Sequence, residues 1–105
     1  MNNIGQGTTP YLQLAINGCD LSDADVIYLT ISQGNLMLNL TDDRVVATCM
    51  NGNTVITAHL TQEETLQFRK GNAAVQVRWR NNDNEAYETD MININFMAAL
   101  YKEVI

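Results

Sequence analysis

Asn51-Gly52 sits between two runs rich in apolar and β-branched residues, Val45–Met50 before it and residues 54–60 after it. The central positions of a type I′ turn both need positive φ, which Asn and Gly tolerate, so this junction specifies an antiparallel hairpin. In the second arm Val55, Thr57 and His59 alternate with Ile56, Ala58 and Leu60, which aims Ile56 and Leu60 inward and His59 outward.

The rest of the chain is cut the same way, by thirteen Asn, six Gly and one Pro spread over 105 residues. Residues 11–17 place Leu12, Leu14 and Ile16 on one side, the period of a half-buried strand. Residues 26–32 are β-branched and aromatic, with Ile27, Leu29 and Ile31 as one face, and Gln33-Gly34-Asn35 links them to residues 36–40 as a second hairpin. Thr61-Gln62-Glu63-Glu64 has the capping-box spacing and predicts a helix over about residues 62–68, with Leu66 or Phe68 packing on the sheets and Lys70-Gly71-Asn72 closing it. Val75, Val77 and Trp79 then alternate with Gln76, Arg78 and Arg80, and residues 81–84 form a turn. The alternation beyond Ala86 changes phase near Met91, which calls for a bulge or a strand passing from one sheet to the other. Residues 97–105 read as a final strand or a short helical tail.

These pieces predict an all-β protein: an immunoglobulin-like two-layer β-sandwich of about seven strands with one short helix, because a single sheet of that size would leave an apolar face in water. Residues 1–10 read as a flexible N-terminal arm and residues 11–105 as one domain. The expected core is Leu12, Leu14, Ile16, Ile27, Leu29, Ile31, Leu38, Ile56, Leu60, Val75, Val77, Ile92 and Ile94.

Charge narrows the functional classes. Six Lys and Arg against twelve Asp and Glu give −6, which opposes phosphate backbones and anionic lipid, so neither nucleic acid nor a membrane is an expected partner. No apolar run approaches the roughly 20 residues of a spanning helix, and residues 1–10 lack the charged and apolar regions of a signal peptide, which predicts synthesis in the cytoplasm. Cys19 and Cys49 have neither zinc nor redox spacing and read as small, partly buried free thiols. His59 is the single histidine, on a strand, and suggests neither catalysis nor metal binding. Asp20, Asp23 and Asp25 lack the glycine and terminal Glu of a calcium loop and read as a solvated turn. Glu63 and Glu64 are accounted for by capping. Arg69, Lys70, Arg78 and Arg80 are expected to neutralise Glu85, Glu88 and Asp90 on the neighbouring strand. The residues therefore suggest no enzyme, no cofactor and no metal site.

The segment 60–66, then Phe68, Val75-Gln76-Val77-Arg78, Ala86, Thr89-Asp90, Ile92 and Glu103-Val104-Ile105, together with the opening 5–10, resembles a family of small proteins encoded by tailed phages and prophages of Firmicutes. More distantly the order of elements is similar to the N-terminal β-sandwich domain of phage baseplate upper proteins. Where the family has an Asp-Gly turn this chain has Asn82-Asp83-Asn84. The resemblance implies a non-enzymatic accessory structural or assembly protein in a virion, contacting other phage structural proteins or itself. Self-association is expected through residues 91–105, with Met91, Phe96, Met97, Leu100 and Tyr101 at the interface and unguarded edges at residues 36–40 and 91–100. The alternative is a small-ligand or carbohydrate-binding module that stacks its ligand on Tyr28, Trp79 or Tyr87.

Overall fold

Alternation and turn residues divide the chain into nine strands and one short α-helix in the computed structural model, which describes residues 2–105. In order these are β1 (Asn2–Gly5), β2 (Tyr11–Ile16), β3 (Ala24–Gln33), β4 (Leu36–Leu40), β5 (Val45–Met50), β6 (Asn53–His59), α1 (Gln62–Leu66), β7 (Gly71–Asn81), β8 (Ala86–Glu88) and β9 (Ile92–Met97), with a 3₁₀ turn at Asp42–Arg44 before β5. One sheet runs β1-β9-β7-β3-β4, with β8 also paired to β7, and the other runs β2-β6-β5. With β3, β7 and β9 in one layer, β4 added outside β3, and β2, β6 and β5 in the other, this is the immunoglobulin-like sandwich that the patterning predicts.

Both hairpins form where their turn residues lie. Asn51 (φ 55°) and Gly52 (φ 78°) take the left-handed conformation, with Met50 opposite Asn53. At the other hairpin Gly34 has φ 58° and Gln33 lies opposite Leu36.

Two strands exceed the expected number, each for a local reason. Residues 2–5 do not stand free as an arm: β1 pairs in parallel with β9 and buries Ile4. A strand with one apolar side chain among Asn and Gly carries no alternation to read. The second extra strand comes from the phase change near Met91, which is a bulge and not a change of sheet. Val75 lies opposite Ile92 and Arg78 opposite Glu88, so three steps on β7 face four on its partner. Thr89 holds the bulge, donating its amide to the Val77 carbonyl at 2.9 Å and accepting the Val77 amide on its hydroxyl at 3.1 Å.

Ten of the thirteen expected core residues are buried, from Leu12 on β2 to Ile94 on β9. Ile27 and Leu38 are half-buried, and Ile92 is 37 % exposed. The described part of β1 begins opposite Ile94 and so does not run alongside Ile92. Phe96, expected at an interface, is 0 % exposed and stacks on Phe68 with ring centroids 4.5 Å apart. That pair also explains why α1 ends at Leu66 and not at 68. The chain leaves the helix early to drive Phe68 into the core, and Gly71 opens β7 instead of closing the helix.

The capping box is present: the Glu64 amide donates to Thr61 Oγ1 at 3.2 Å and the Thr61 amide to Glu64 Oε1 at 2.8 Å. Arg44 donates to the same carboxylate at 2.6 Å and to the His59 carbonyl at 3.0 Å, tying the 3₁₀ turn to the helix. Burial pulls the Glu64 pKa upward, but the Arg44 guanidinium and the Thr61 amide outweigh it, and the carboxyl lies below its ordinary value.

Ile94→Ala removes a fully buried side chain from the centre of β9 and is expected to cost about 2–5 kcal/mol in urea unfolding; a loss under about 1 kcal/mol would place Ile94 outside the core. Thr61→Ala is expected to cost about 1 kcal/mol through the lost cap. Because the Glu64 pKa is depressed on folding, its contribution is present above the ordinary carboxylate pKa and disappears as pH falls through the lower folded value. The melting temperature of Glu64→Gln should therefore lie below that of the parent chain at neutral pH and converge with it in acid. A gap that persists in acid would show that ionisation of Glu64 contributes nothing.

Candidate functional site

Leu29 and Ile31 on β3, with Val75 and Val77 on β7, face the core, so the residues between them face outward from the larger sheet. The register sets Tyr28 opposite Arg78, Val26 opposite Arg80, and Thr30 between Gln76 and Asn39. Together with the Trp79 strand position and Ala86, these residues other than Gln76 line an open concavity of about 440 Å³. Its floor is flat strand, and its polar groups are a guanidinium pair, a hydroxyl and an amide. Thr30 donates to Asn39 Oδ1 at 2.7 Å, which fixes that amide. Arg80 pairs with Asp25 at 2.7 Å, whereas Arg78 forms no ion pair among the described residues. Cross-strand neutralisation by Glu88, expected from the sequence, is replaced: Gln76 Nε2 donates to that carboxylate at 3.1 Å. Tyr28, 44 % exposed, stands beside Arg78, whose guanidinium makes no ion pair among the described residues although Glu88 lies opposite it in the ladder.

The three aromatic residues named as stacking candidates do not share one face of the sheet. Trp79 follows Arg78 on β7 and points to the opposite side of the sheet from Tyr28. There it stacks with Tyr87, centroids 5.8 Å apart and planes at 27°, beside a smaller hollow of about 230 Å³ lined also by Cys19, Asp20 and Asp23. The register pair Trp79 opposite Tyr87 is the signal that brings them together.

Of the expected interface residues, Met91, Met97, Leu100 and Tyr101 are exposed and only Phe96 is not. Residues 98–105 form neither strand nor helix, but they are tied down. The Ala99 amide donates to Gln6 Oε1 at 3.0 Å, and Ile105 exchanges two hydrogen bonds with the Gln62 side chain at 2.8 and 3.1 Å. Leu100, Tyr101, Val104 and Ile105 are left facing solvent. Of the edge expected over residues 91–100, β1 covers Ile94 to Met97; β4 does lie at an edge.

His59 is exposed, stacks on Tyr11 at 4.1 Å, and places Nε2 3.1 Å from the Thr9 carbonyl. Asp20 accepts the Ser22 amide at 2.9 Å and its pKa is lowered by the hydrogen bonds from Ser22, while Asp25 is held by Arg80. Among the described residues no three His, Cys, Asp or Glu side chains are gathered as metal ligands, and Cys19 and Cys49 are free thiols. Comparison with protein-family models and with curated proteins finds no significant match to this chain.

Proposed function

We propose that the chain is a non-enzymatic structural or assembly protein of a tailed phage or prophage, acting in the virion through contacts with other structural proteins or with itself. The observation that carries this reading is the exposed apolar C-terminal segment. Leu100, Tyr101, Val104 and Ile105 stay in water although the sandwich is closed without them, and an apolar segment held in place by backbone hydrogen bonds suits a docking surface. The likeness of its motif order to small phage-encoded proteins supplies the setting. The net charge of −6 favours protein partners over nucleic acid.

Particles purified from a producing culture are expected to contain the chain. Leu100→Ser combined with Tyr101→Ser should lower its incorporation about tenfold or more without altering its far-ultraviolet spectrum. A chain found only in the soluble fraction of the lysate would overturn the reading.

A second reading rests on the concavity of the larger sheet. Tyr28 offers a flat apolar face, and Arg78 and Asn39 offer hydrogen-bonding groups beside it, the combination that receives a sugar ring. On a glycan array the protein is then expected to retain a saccharide, and Tyr28→Ala to weaken that binding about tenfold. No retention at about millimolar saccharide would remove this reading.

A further inference from the structure

The smaller sheet is free of charge. β2, β5 and β6 contain no Asp, Glu, Lys or Arg, in a chain with twelve acidic and six basic residues. Its outward rows run Tyr11 and His59, then Gln13, Thr57, Val46, then Ala15, Val55, Thr48, a surface without Asp, Glu, Lys or Arg. Both outer strands pair only with β6, so each has one open edge. The two edges differ. β5 is entered through Asp42, Asp43 and Arg44, which put charge at its approach. β2 lies between Pro10 and Asn17-Gly18, and alongside it an open groove of about 300 Å³ separates its edge from β1.

We infer that the open edge of β2 is the docking site for β2 of a second copy of this chain, joined antiparallel about a two-fold axis. This surface is separate from the C-terminal segment, and the inference does not rest on that reading. The occupant follows from charge. Two copies at −6 repel through most of their surface, and the contact that avoids this is one that carries no charge on either side. A charged peptide would find no ion-pair partner on these strands. Self-pairing also fits in shape: with Gln13 of both copies on the axis, Leu12 faces Leu14 on the inner side, and the large Tyr11 faces the small Ala15 on the outer side. Parity is conserved, so inward side chains meet inward ones. The groove lies along Pro10 to Gln13, the first half of that edge, with Asn3 and Ile4 across from it.

Sedimentation of the full chain at about 50 µM is expected to show a dimer. Gln13→Lys sets two ammonium groups against each other on the axis and should raise the dissociation constant about tenfold or more with an unchanged far-ultraviolet spectrum. Thr48→Lys, on the outer face of β5, and Leu100→Ser with Tyr101→Ser should leave the dimer intact. Gln13→Cys, in a background of Cys19→Ser and Cys49→Ser, is expected to form a covalent dimer on oxidation, because paired positions across an antiparallel ladder lie within disulfide reach. A monomeric parent chain, a dimer that survives Gln13→Lys, an uncrosslinked Gln13→Cys, or a dimer lost through Leu100 and Tyr101 would each overturn the inference. The last result would support the C-terminal contact in its place.

Discussion

Four buried polar side chains hold the places where the chain leaves its strands. Gln6 donates to the Phe68 carbonyl at 2.7 Å and accepts the Ala99 amide at 3.0 Å. Gln33 accepts the Arg69 amide at 2.7 Å and donates back to the Arg69 carbonyl at 2.8 Å. Thr65 donates to the Thr8 carbonyl at 2.9 Å, and Thr54 accepts the Leu21 amide while donating to the Cys19 carbonyl. A buried irregular segment has no ladder to satisfy its amides and carbonyls, and each left orphaned would cost about 1–3 kcal/mol. These residues supply the missing partners. Without Gln6 and Gln33 the strap from α1 to β7 would have to leave the interior, and Phe68 would leave Phe96 with it.

The same fastening joins the segment before β2 to the segment after β9. Gln6 bonds both to the strap and to the start of the C-terminal segment, so the two ends of the chain are fixed to one another through one amide side chain. β1 then lies parallel to β9 and closes the edge that would otherwise expose it. β9 is covered there by a strand and not guarded by charge, and the outer edge of the sheet passes to β1.

Layer architecture and both hairpins were legible because period-2 alternation and Asn-Gly chemistry are local signals. So was the cap, since Thr61 and Glu64 act at a fixed spacing. What the sequence hides are partnerships between distant residues. Arg44 with Glu64 joins positions that no spacing rule connects, and the burial of Gln6, within a segment that reads as a flexible arm, follows from a strap sixty-two residues away. The candidate site was half legible. Tyr28 could be named as an exposed aromatic, but its separation from Trp79 follows from parity once Arg78 is set opposite it, and parity needs the register. Phe96 failed as an interface residue because alternation gives a face without saying which face is covered.

The two layers divide surface chemistry between them. The larger sheet places Arg78, Arg80 and Tyr28 on its outer face, where a guanidinium can meet a polar ligand in water. The smaller sheet has no formal charge and presents Val, Thr, Ala and Gln on its outer face. Sheet faces without charge are poor at discriminating among charged partners, yet they impose no desolvation penalty for ions when covered. An interface built there draws on backbone pairing along an open edge and on shape. Shape complementarity is most simply met by the same surface turned through a two-fold axis. Pairing through β2 would draw on residues 11–15 and use neither Tyr28 and Arg78 nor Leu100 and Tyr101. Self-association and attachment to a further partner would then draw on different residues of one small sandwich.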